Sequence, residues 1–167
     1  HQPNNTTLSD SDIDRALFAD GGHLLRADVW FSQPLLDGGN ARILRAARDQ
    51  GMAISLDLNW DPCWGYAPEE VVRARKAAVR QVLPLVDLVH GNTRELNLFA
   101  ESTSLPNTLR LLTAWGAGAV VLHLGTQGAG YYADGDLITE PAVPVERAVH
   151  ATGSGDLLSV CMMLLHD

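Results

Sequence analysis

The chain has 167 residues, of which 46% are hydrophobic and 19% are charged, and its formal net charge is −8. This composition is typical of a globular protein with a core, and the acidic balance argues against general binding to nucleic acid or to an anionic membrane. The two cysteines lie far apart and the apolar runs are shorter than a membrane span, so we expect no disulfide framework, no membrane segment and a cytoplasmic protein.

Apolar runs of strand length alternate along the chain with segments of helical periodicity. Helices are predicted over residues 13–18, 38–50, 68–83, 93–100 and 107–115. Strands are predicted between them, over residues 27–32, 52–58, 85–90 and 117–124. A hairpin over residues 131–139 turns at Asp134-Gly135, and a last helix begins near Gly153 and continues to the end of the chain.

Strands that are apolar on both faces and alternate with helices predict a parallel sheet that is covered on both sides. We therefore expect one α/β domain over residues 1–167, with a three-layer, doubly wound and mostly parallel sheet. In such a fold, ligands bind beyond the carboxyl ends of the strands. Polar or glycine residues follow three of the predicted strands at that place: Asp57 and Asn59, then His90 and Asn92, then Gly125 and Thr126.

The start of the last helix carries the most informative segment, Gly153-Ser154-Gly155-Asp156. Glycines let the backbone approach a ligand closely, and the amino-terminal N–H groups of a helix suit a phosphate or a developing anion. An aspartate at that place is able to accept the proton of an attacking hydroxyl. The same pattern also occurs as a plain helix cap with a favourable charge, so alone it leaves both interpretations open.

Two further motifs lie where strands end. Asn92 and Glu95 have the spacing of a capping box, and they also offer oxygen ligands for magnesium beside phosphates. Gly125, Thr126 and Gly128 form either a simple turn into the hairpin or a binding site for a phosphate or ribose. The residues alone leave both alternatives open for each motif.

Other conspicuous side chains have structural explanations of equal or greater weight. Trp60 and Trp64 either cover the edge of the sheet or stack on a ligand. The histidines at positions 90, 123 and 150 lack metal-ligand spacing, so we expect packed or solvated rings. A solvated helix face is expected for the basic residues of the helix over 68–83, which are Arg73, Arg75, Lys76 and Arg80.

With these motifs in one order, the chain resembles the ribokinase-like carbohydrate kinases, the PfkB family. The matching stretches are Asp57-Leu58-Asn59, Asn92-Thr93-Arg94-Glu95, Leu124-Gly125-Thr126-Gln127-Gly128 and Gly153-Ser154-Gly155-Asp156. The resemblance covers the central and C-terminal portion of such a kinase, without its N-terminal lid region. It implies a piece of a longer fold that transfers a phosphoryl group from ATP to a sugar hydroxyl with Mg²⁺. It also leaves room for a monovalent cation and for a homo-oligomer.

The resemblance further implies a role for each matching residue. Asp156 matches the catalytic base, and the amides of Gly153, Ser154 and Gly155 match the anion hole around the transferred phosphoryl group. Residues that match the nucleotide site are Asn92, Gly125, Thr126, Gly128 and Thr152. Glu95 matches the magnesium motif, and Asp57 and Asn59 match the substrate site.

Four positions differ from the common pattern of that family. His150 and Ala151 stand where many members have an Asp-Thr pair, and His123 stands where a threonine is common. Asp61 replaces an arginine that is frequent in the sugar-acid and fructose kinases, which disfavours an anionic sugar. The differences at His150 and Ala151, together with the partial coverage of the kinase fold, keep open a second interpretation, a non-catalytic nucleotide-binding or interaction module with the same fold. A dinucleotide-binding oxidoreductase domain is disfavoured, because no Gly-x-Gly-x-x-Gly turn follows the first predicted strand.

Overall fold

The computed structural model describes residues 7–144 and 152–166, and its centre is a six-stranded sheet in the order β1-β2-β3-β4-β5-β6. The strands are β1 (His23–Arg26), β2 (Ala53–Asp57), β3 (Leu88–Asn92), β4 (Ala119–His123), β5 (Ala129–Ala133) and β6 (Asp136–Glu140). Strands β1 to β4 are parallel, whereas β5 and β6 form an antiparallel extension. The predicted α/β fold with a mostly parallel sheet is confirmed.

Helices cover both faces of this sheet. Within the described residues they are α1 (Asn40–Asp49), α2 (Glu69–Arg80), α3 (Thr93–Ala100), α4 (Leu105–Ala114) and α5 (Ser154–Leu164). Successive residues of a strand point to opposite faces, so Val120 and Leu122 of β4 pack in the larger core, which also holds side chains of α1 to α4. Ala119 and Val121 pack in a smaller core with Leu158 of α5. This division produces the three-layer arrangement. Within the described residues the strands lie across the sheet in the order of the chain, so there is no point at which the strand order reverses.

The strand predicted over residues 27–32 is wrong. The edge strand β1 ends just before this run, and Asp28 has a positive φ of 52°, which is incompatible with extended backbone. Val29 and Trp30 are buried in the larger core despite the irregular backbone. The apolar run therefore reflects a buried loop rather than a strand.

Three other predicted boundaries also shift. The third strand begins at Leu88 instead of residue 85, because Leu83–Leu85 forms a 3₁₀ turn that contains Pro84. The first predicted helix is a short 3₁₀ turn, Arg15–Phe18, that follows an Asp14 cap. The last helix ends at Leu164 and does not continue through the end of the chain.

Two local predictions are confirmed by backbone geometry. Helix α3 begins and ends at the predicted residues, with Asn92 as its cap. The hairpin between β5 and β6 turns at Asp134-Gly135, where both residues have positive φ values of 54° and 94°. Positive φ at both central residues is what a two-residue hairpin turn of type I′ requires.

Of the four basic residues of α2, only Arg73 lies on the solvated face that the sequence predicts, with a side chain that is 68% exposed. Arg75 forms an ion pair with Asp61 and is 11% exposed in its side chain. Lys76 is buried and donates to the carbonyl of Leu98. The guanidinium of Arg80 lies 3.8 Å from the centre of the Trp115 ring. The side chains of Arg75, Lys76 and Arg80 pack against the core, and their charged groups contact polar or aromatic partners. The spacing of basic residues in the sequence does not indicate these contacts.

Cys63 is half-buried and Cys161 is exposed, and both thiols are free. Over residues 7–144 and 152–166, no helix combines the length and the apolar character that crossing a membrane requires.

Candidate functional site

The carboxyl ends of three parallel strands and the start of α5 enclose one cavity of about 270 Å³. Because neighbouring parallel strands end at the same edge of a sheet, residues far apart in sequence meet there. The lining residues are Asp57, Asn59, Asn92, Glu95, His123, Gly125, Ser154, Gly155 and Asp156. The structure therefore brings together residues from all four stretches that the sequence singled out.

Asn92 and Glu95 form a reciprocal cap at the start of α3. The Asn92 N–H donates to Oε2 of Glu95 at 2.9 Å, and the Glu95 N–H donates to Oδ1 of Asn92 at 2.9 Å. Burial raises the pKa of Glu95, and the Asn92 N–H offsets part of that effect. The interpretation of Asn92 and Glu95 as a capping box is therefore confirmed. The cap also holds the Glu95 carboxylate in a fixed position at the wall of the cavity.

Asp57 ends β2 as a buried carboxylate that is 4% exposed. Burial raises the pKa of this carboxyl, while nearby His123 and hydrogen bonds from Asn59 and Ser159 act in the opposite direction. The Asn59 N–H donates to Oδ1 at 3.2 Å, and the Ser159 hydroxyl donates to Oδ2 at 3.2 Å. The carboxylate therefore accepts hydrogen bonds from the loop after β2 and from α5.

Helix α5 begins directly against β4. Gly153 precedes its first turn, and the Leu157 N–H donates to the Gly153 carbonyl at 2.9 Å. A Cβ atom added at Gly155 would lie only 2.9 Å from Nδ1 of His123, so a glycine is needed for this close approach. The exposed side chain of Asp156 stands on the same turn and lines the cavity.

Four of the predicted binding residues lie beside the cavity without lining it: Thr126, Gly128, Thr152 and Gly153. Thr126 is exposed in the 3₁₀ turn Gly125–Gln127, and Thr152 is exposed ahead of α5. Gly128 faces the other way, because a Cβ atom there would lie 1.9 Å from the carbonyl oxygen of Glu140 in β6. This glycine has a packing role in the turn. His150 and Ala151 lie outside the described residues.

Two residues of the site, His123 and Ser159, were not among the predicted site residues. His123 is the last residue of β4 and lies on the same face as Ala119 and Val121, so its ring reaches the cavity. Ser159 is fully buried three residues after Asp156, and its Oγ lies 3.4 Å from Nε2 of His123. Helical spacing places Ser159 on the same side of α5 as Asp156, which is a signal that the sequence does contain.

His90 is packed, as the sequence predicts, and lies next to the site without lining the cavity. Its Nε2 is 3.0 Å from the Ser55 hydroxyl, and its Nδ1 is buried with no hydrogen-bond partner among the described residues. Burial, with smaller effects from His123 and His23, lowers the pKa of His90 from 6.5 to about 3. The neutral imidazole is therefore the form that the fold stabilises.

This burial predicts a specific pH dependence of stability. Below pH 6.5 the unfolded chain binds a proton at His90 that the folded chain does not accept until pH is about 3. His90 then reduces the free energy of unfolding by up to about 1.4 kcal/mol for each pH unit below 6.5. Urea unfolding between pH 7 and 4 measures this effect. The free energy of unfolding should fall less steeply with decreasing pH in His90→Gln than in the original chain. An unchanged slope, or an equal change for the exposed His166→Gln just after α5, would contradict this assignment.

The donor set of the cavity fits a magnesium ion that is bound together with phosphates. Mg²⁺ prefers oxygen ligands and is usually held by one or two carboxylates plus substrate phosphates. Asp57, Glu95 and Asp156 all line this cavity. Within residues 7–144 and 152–166, no group of three or more His, Cys, Asp or Glu side chains forms a metal site by itself. Phosphate oxygens would therefore have to complete the coordination.

Comparison with known proteins places the chain in a family. The sequence pattern of the "pfkB family carbohydrate kinase" matches residues 2–160. A cytidine kinase from Thermococcus kodakarensis is 30% identical to the chain over 134 residues, which are 79% of the chain and 45% of that enzyme.

Solved structures share the fold. A protein assigned as ribokinase II from E. coli, in complex with ATP and Mg²⁺, has a TM-score of 0.76 and 24% identity, over 94% of this chain and 50% of its own. The fructokinase from Vibrio cholerae O395 with fructose, ADP and a calcium ion has a TM-score of 0.77 and 22% identity, over 96% and 50%. The chain thus spans about half the length of the relatives it matches. With the family pattern matched over nearly all of its length, the chain belongs to the pfkB family of carbohydrate kinases.

Proposed function

We propose that the chain carries the phosphoryl-transfer centre of a kinase that phosphorylates a hydroxyl of a sugar or nucleoside with ATP. The observation that carries this proposal is the single cavity shared by Asp156, the amino terminus of α5 and the polar ends of β2, β3 and β4. Relatives named as a cytidine kinase and a fructokinase support an acceptor that contains a sugar.

Asp156 is proposed as the general base. Its carboxylate takes the proton of the acceptor hydroxyl, whose oxygen forms a bond to the γ-phosphorus as the bond to the β,γ-bridging oxygen breaks and ADP leaves. Phosphoryl transfer needs mainly positioning and stabilisation of charge on the transferred group. The amino-terminal amides of α5, at Gly153, Ser154 and Gly155, are proposed to supply that stabilisation.

The remaining residues are proposed to orient the two substrates. The turn after β4, with Gly125 and Thr126, faces the nucleotide, and Asp57 and Asn59 at the end of β2 face the acceptor. Glu95 and Asn92 would hold Mg²⁺ and the phosphates between them, and the bound ion would neutralise charge on the phosphate oxygens. Their reciprocal cap keeps both side chains in place before the nucleotide arrives.

Two measurements on the chain test this function. Calorimetry with Mg·ATP should detect binding, and a coupled assay with hexoses, pentoses and nucleosides should detect ADP that forms only when an acceptor is present. Absence of both signals would contradict the proposal. Binding of Mg·ATP without acceptor-dependent ADP would instead favour the second candidate, a nucleotide-binding module, which the departures from the family pattern at His150 and Ala151 also favour.

A further inference from the structure

A second cavity lies next to the proposed catalytic one and has a different lining. It has a volume of about 520 Å³ and is lined by Trp60, Trp64, Gly65, Tyr66, Arg94 and Leu98. We call it the aromatic pocket. Its volume lies within the range of about 300–1,000 Å³ that is usual for small-molecule sites.

Consecutive residues connect the aromatic pocket to the catalytic cavity. Asn59 lines the catalytic cavity, and the next residue, Trp60, lines the aromatic pocket. In the same way, Glu95 lines the catalytic cavity and the preceding residue, Arg94, lines the aromatic pocket. The two cavities are therefore neighbours along both the β2–α2 loop and the first turn of α3.

The lining suits a flat, π-rich group with hydrogen-bond acceptors. The guanidinium of Arg94 lies 4.4 Å from the centre of the Trp60 ring, and the Trp60 and Trp64 rings meet edge to face at 5.1 Å. The Nε1–H of Trp64 is buried and has no acceptor within the described residues. The ring of Tyr66 is 90% exposed, an unusual position for a large apolar surface.

The core holds one wall of the pocket in a fixed orientation. Trp64 packs edge to face on Trp30 at 5.3 Å, and Trp30 packs on Phe99 at 5.9 Å. Asp61, between the two pocket tryptophans, pairs with Arg75 and accepts the Cys63 N–H at 2.9 Å. A pre-organised aromatic wall reduces the entropy that a ligand must lose on binding.

We propose that the aromatic pocket binds the planar base of a nucleoside acceptor. This inference rests on the proposed function and adds the class of acceptor. The base stacks on Trp60 and Tyr66, and its carbonyl or ring nitrogen accepts from Arg94. Base stacking on aromatic side chains is tolerant of base identity, so the assignment concerns nucleosides as a class.

Position in the sheet favours the acceptor over the donor. The proposed nucleotide turn follows β4, whereas the aromatic pocket borders the loop after β2 and the first turn of α3, which follows β3. Since β3 lies between β2 and β4, the loop after β2 and the turn after β4 are two strand spacings apart, about 10 Å. The phosphates then lie between them, over the end of β3, and the acceptor comes from the β2 side.

Binding of cytidine and of ribose, measured by calorimetry in the presence of Mg·ADP, tests this proposal. Cytidine should bind at least about tenfold more tightly than ribose, because only cytidine can stack in the pocket. Tyr66→Ala and Arg94→Gln should each weaken cytidine binding about tenfold, with little change for ribose. The controls are Ile138→Ala, at another exposed apolar residue, and Arg45→Gln, at an exposed arginine of α1.

Equal affinities for cytidine and ribose in the original chain would overturn the proposal, as would variants that leave cytidine binding unchanged. A loss of Mg·ATP affinity in Tyr66→Ala or Arg94→Gln, with cytidine unaffected, would assign the pocket to the donor base and also overturn it. The proposed function has a separate readout. If acceptor-dependent ADP is absent while the cytidine result holds, the kinase proposal fails, whereas the pocket remains a binding site for the base of a nucleoside.

Discussion

Replacement of Asp156 by asparagine is expected to lower the turnover number of phosphoryl transfer at least about 100-fold, which is the usual size of a general-base contribution. Asparagine has nearly the same shape but cannot accept the hydroxyl proton. The side chain is exposed on the first turn of α5, so the fold should not change. The coupled assay at saturating Mg·ATP measures the loss, and calorimetry should still detect Mg·ATP binding.

Asp136→Asn is the matched control for that substitution. It removes the same charge from an exposed position of β6 that does not line the catalytic cavity. The turnover number of this variant should equal that of the original chain. Activity that survives Asp156→Asn at more than about a tenth of the original rate would contradict the assigned base.

The second large effect concerns stability. Asp61→Ala is expected to lower the free energy of unfolding by about 3–5 kcal/mol, because removal of one partner leaves a buried charge without compensation. The Asp61 carboxylate is fully buried, accepts from Arg75 at 2.9 Å through both of its oxygens, and faces a guanidinium that is only 11% exposed. Urea unfolding at pH 7 measures the difference.

Glu69→Ala provides the comparison, because its partner Arg73 lies in the same helix as Arg75. Glu69 pairs with Arg73 one turn away, but the two side chains are 85% and 68% exposed, so solvent screens the pair and its loss should cost at most about 0.5 kcal/mol. Equal effects of the two substitutions would show that the Asp61–Arg75 pair is screened as well. In that case the β2–α2 loop, and the aromatic pocket that it carries, would lack the support that we assign to this pair.

The sheet and the outline of the site could be predicted because they depend on local patterns. Buried parallel strands appear as continuous apolar runs, and the polar residue at the end of each run marks the carboxyl edge where ligands bind. Asp57, Asn92 and Gly125 were located in this way, and they do share one cavity with Asp156.

What the sequence did not reveal depends on contacts between distant segments. The run over residues 27–32 has the composition of a strand, but it is buried as a loop whose path turns at Asp28. Arg75 has helical spacing typical of a solvated face, yet its partner Asp61 is 14 residues away on another element. His123 is a lone histidine in sequence and becomes part of the site only because α5 begins beside it, where Gly155 allows close approach.

The central claim is that the phosphates of ATP lie at the amino terminus of α5 and beside the turn after β4. A titration of the ¹⁵N-labelled chain with Mg·ATP, followed by amide chemical shifts, tests it most directly. We predict the largest shifts at Gly125, Gly153 and Gly155, with only small shifts in β6. Saturable binding that leaves these three amides unchanged would contradict the claim.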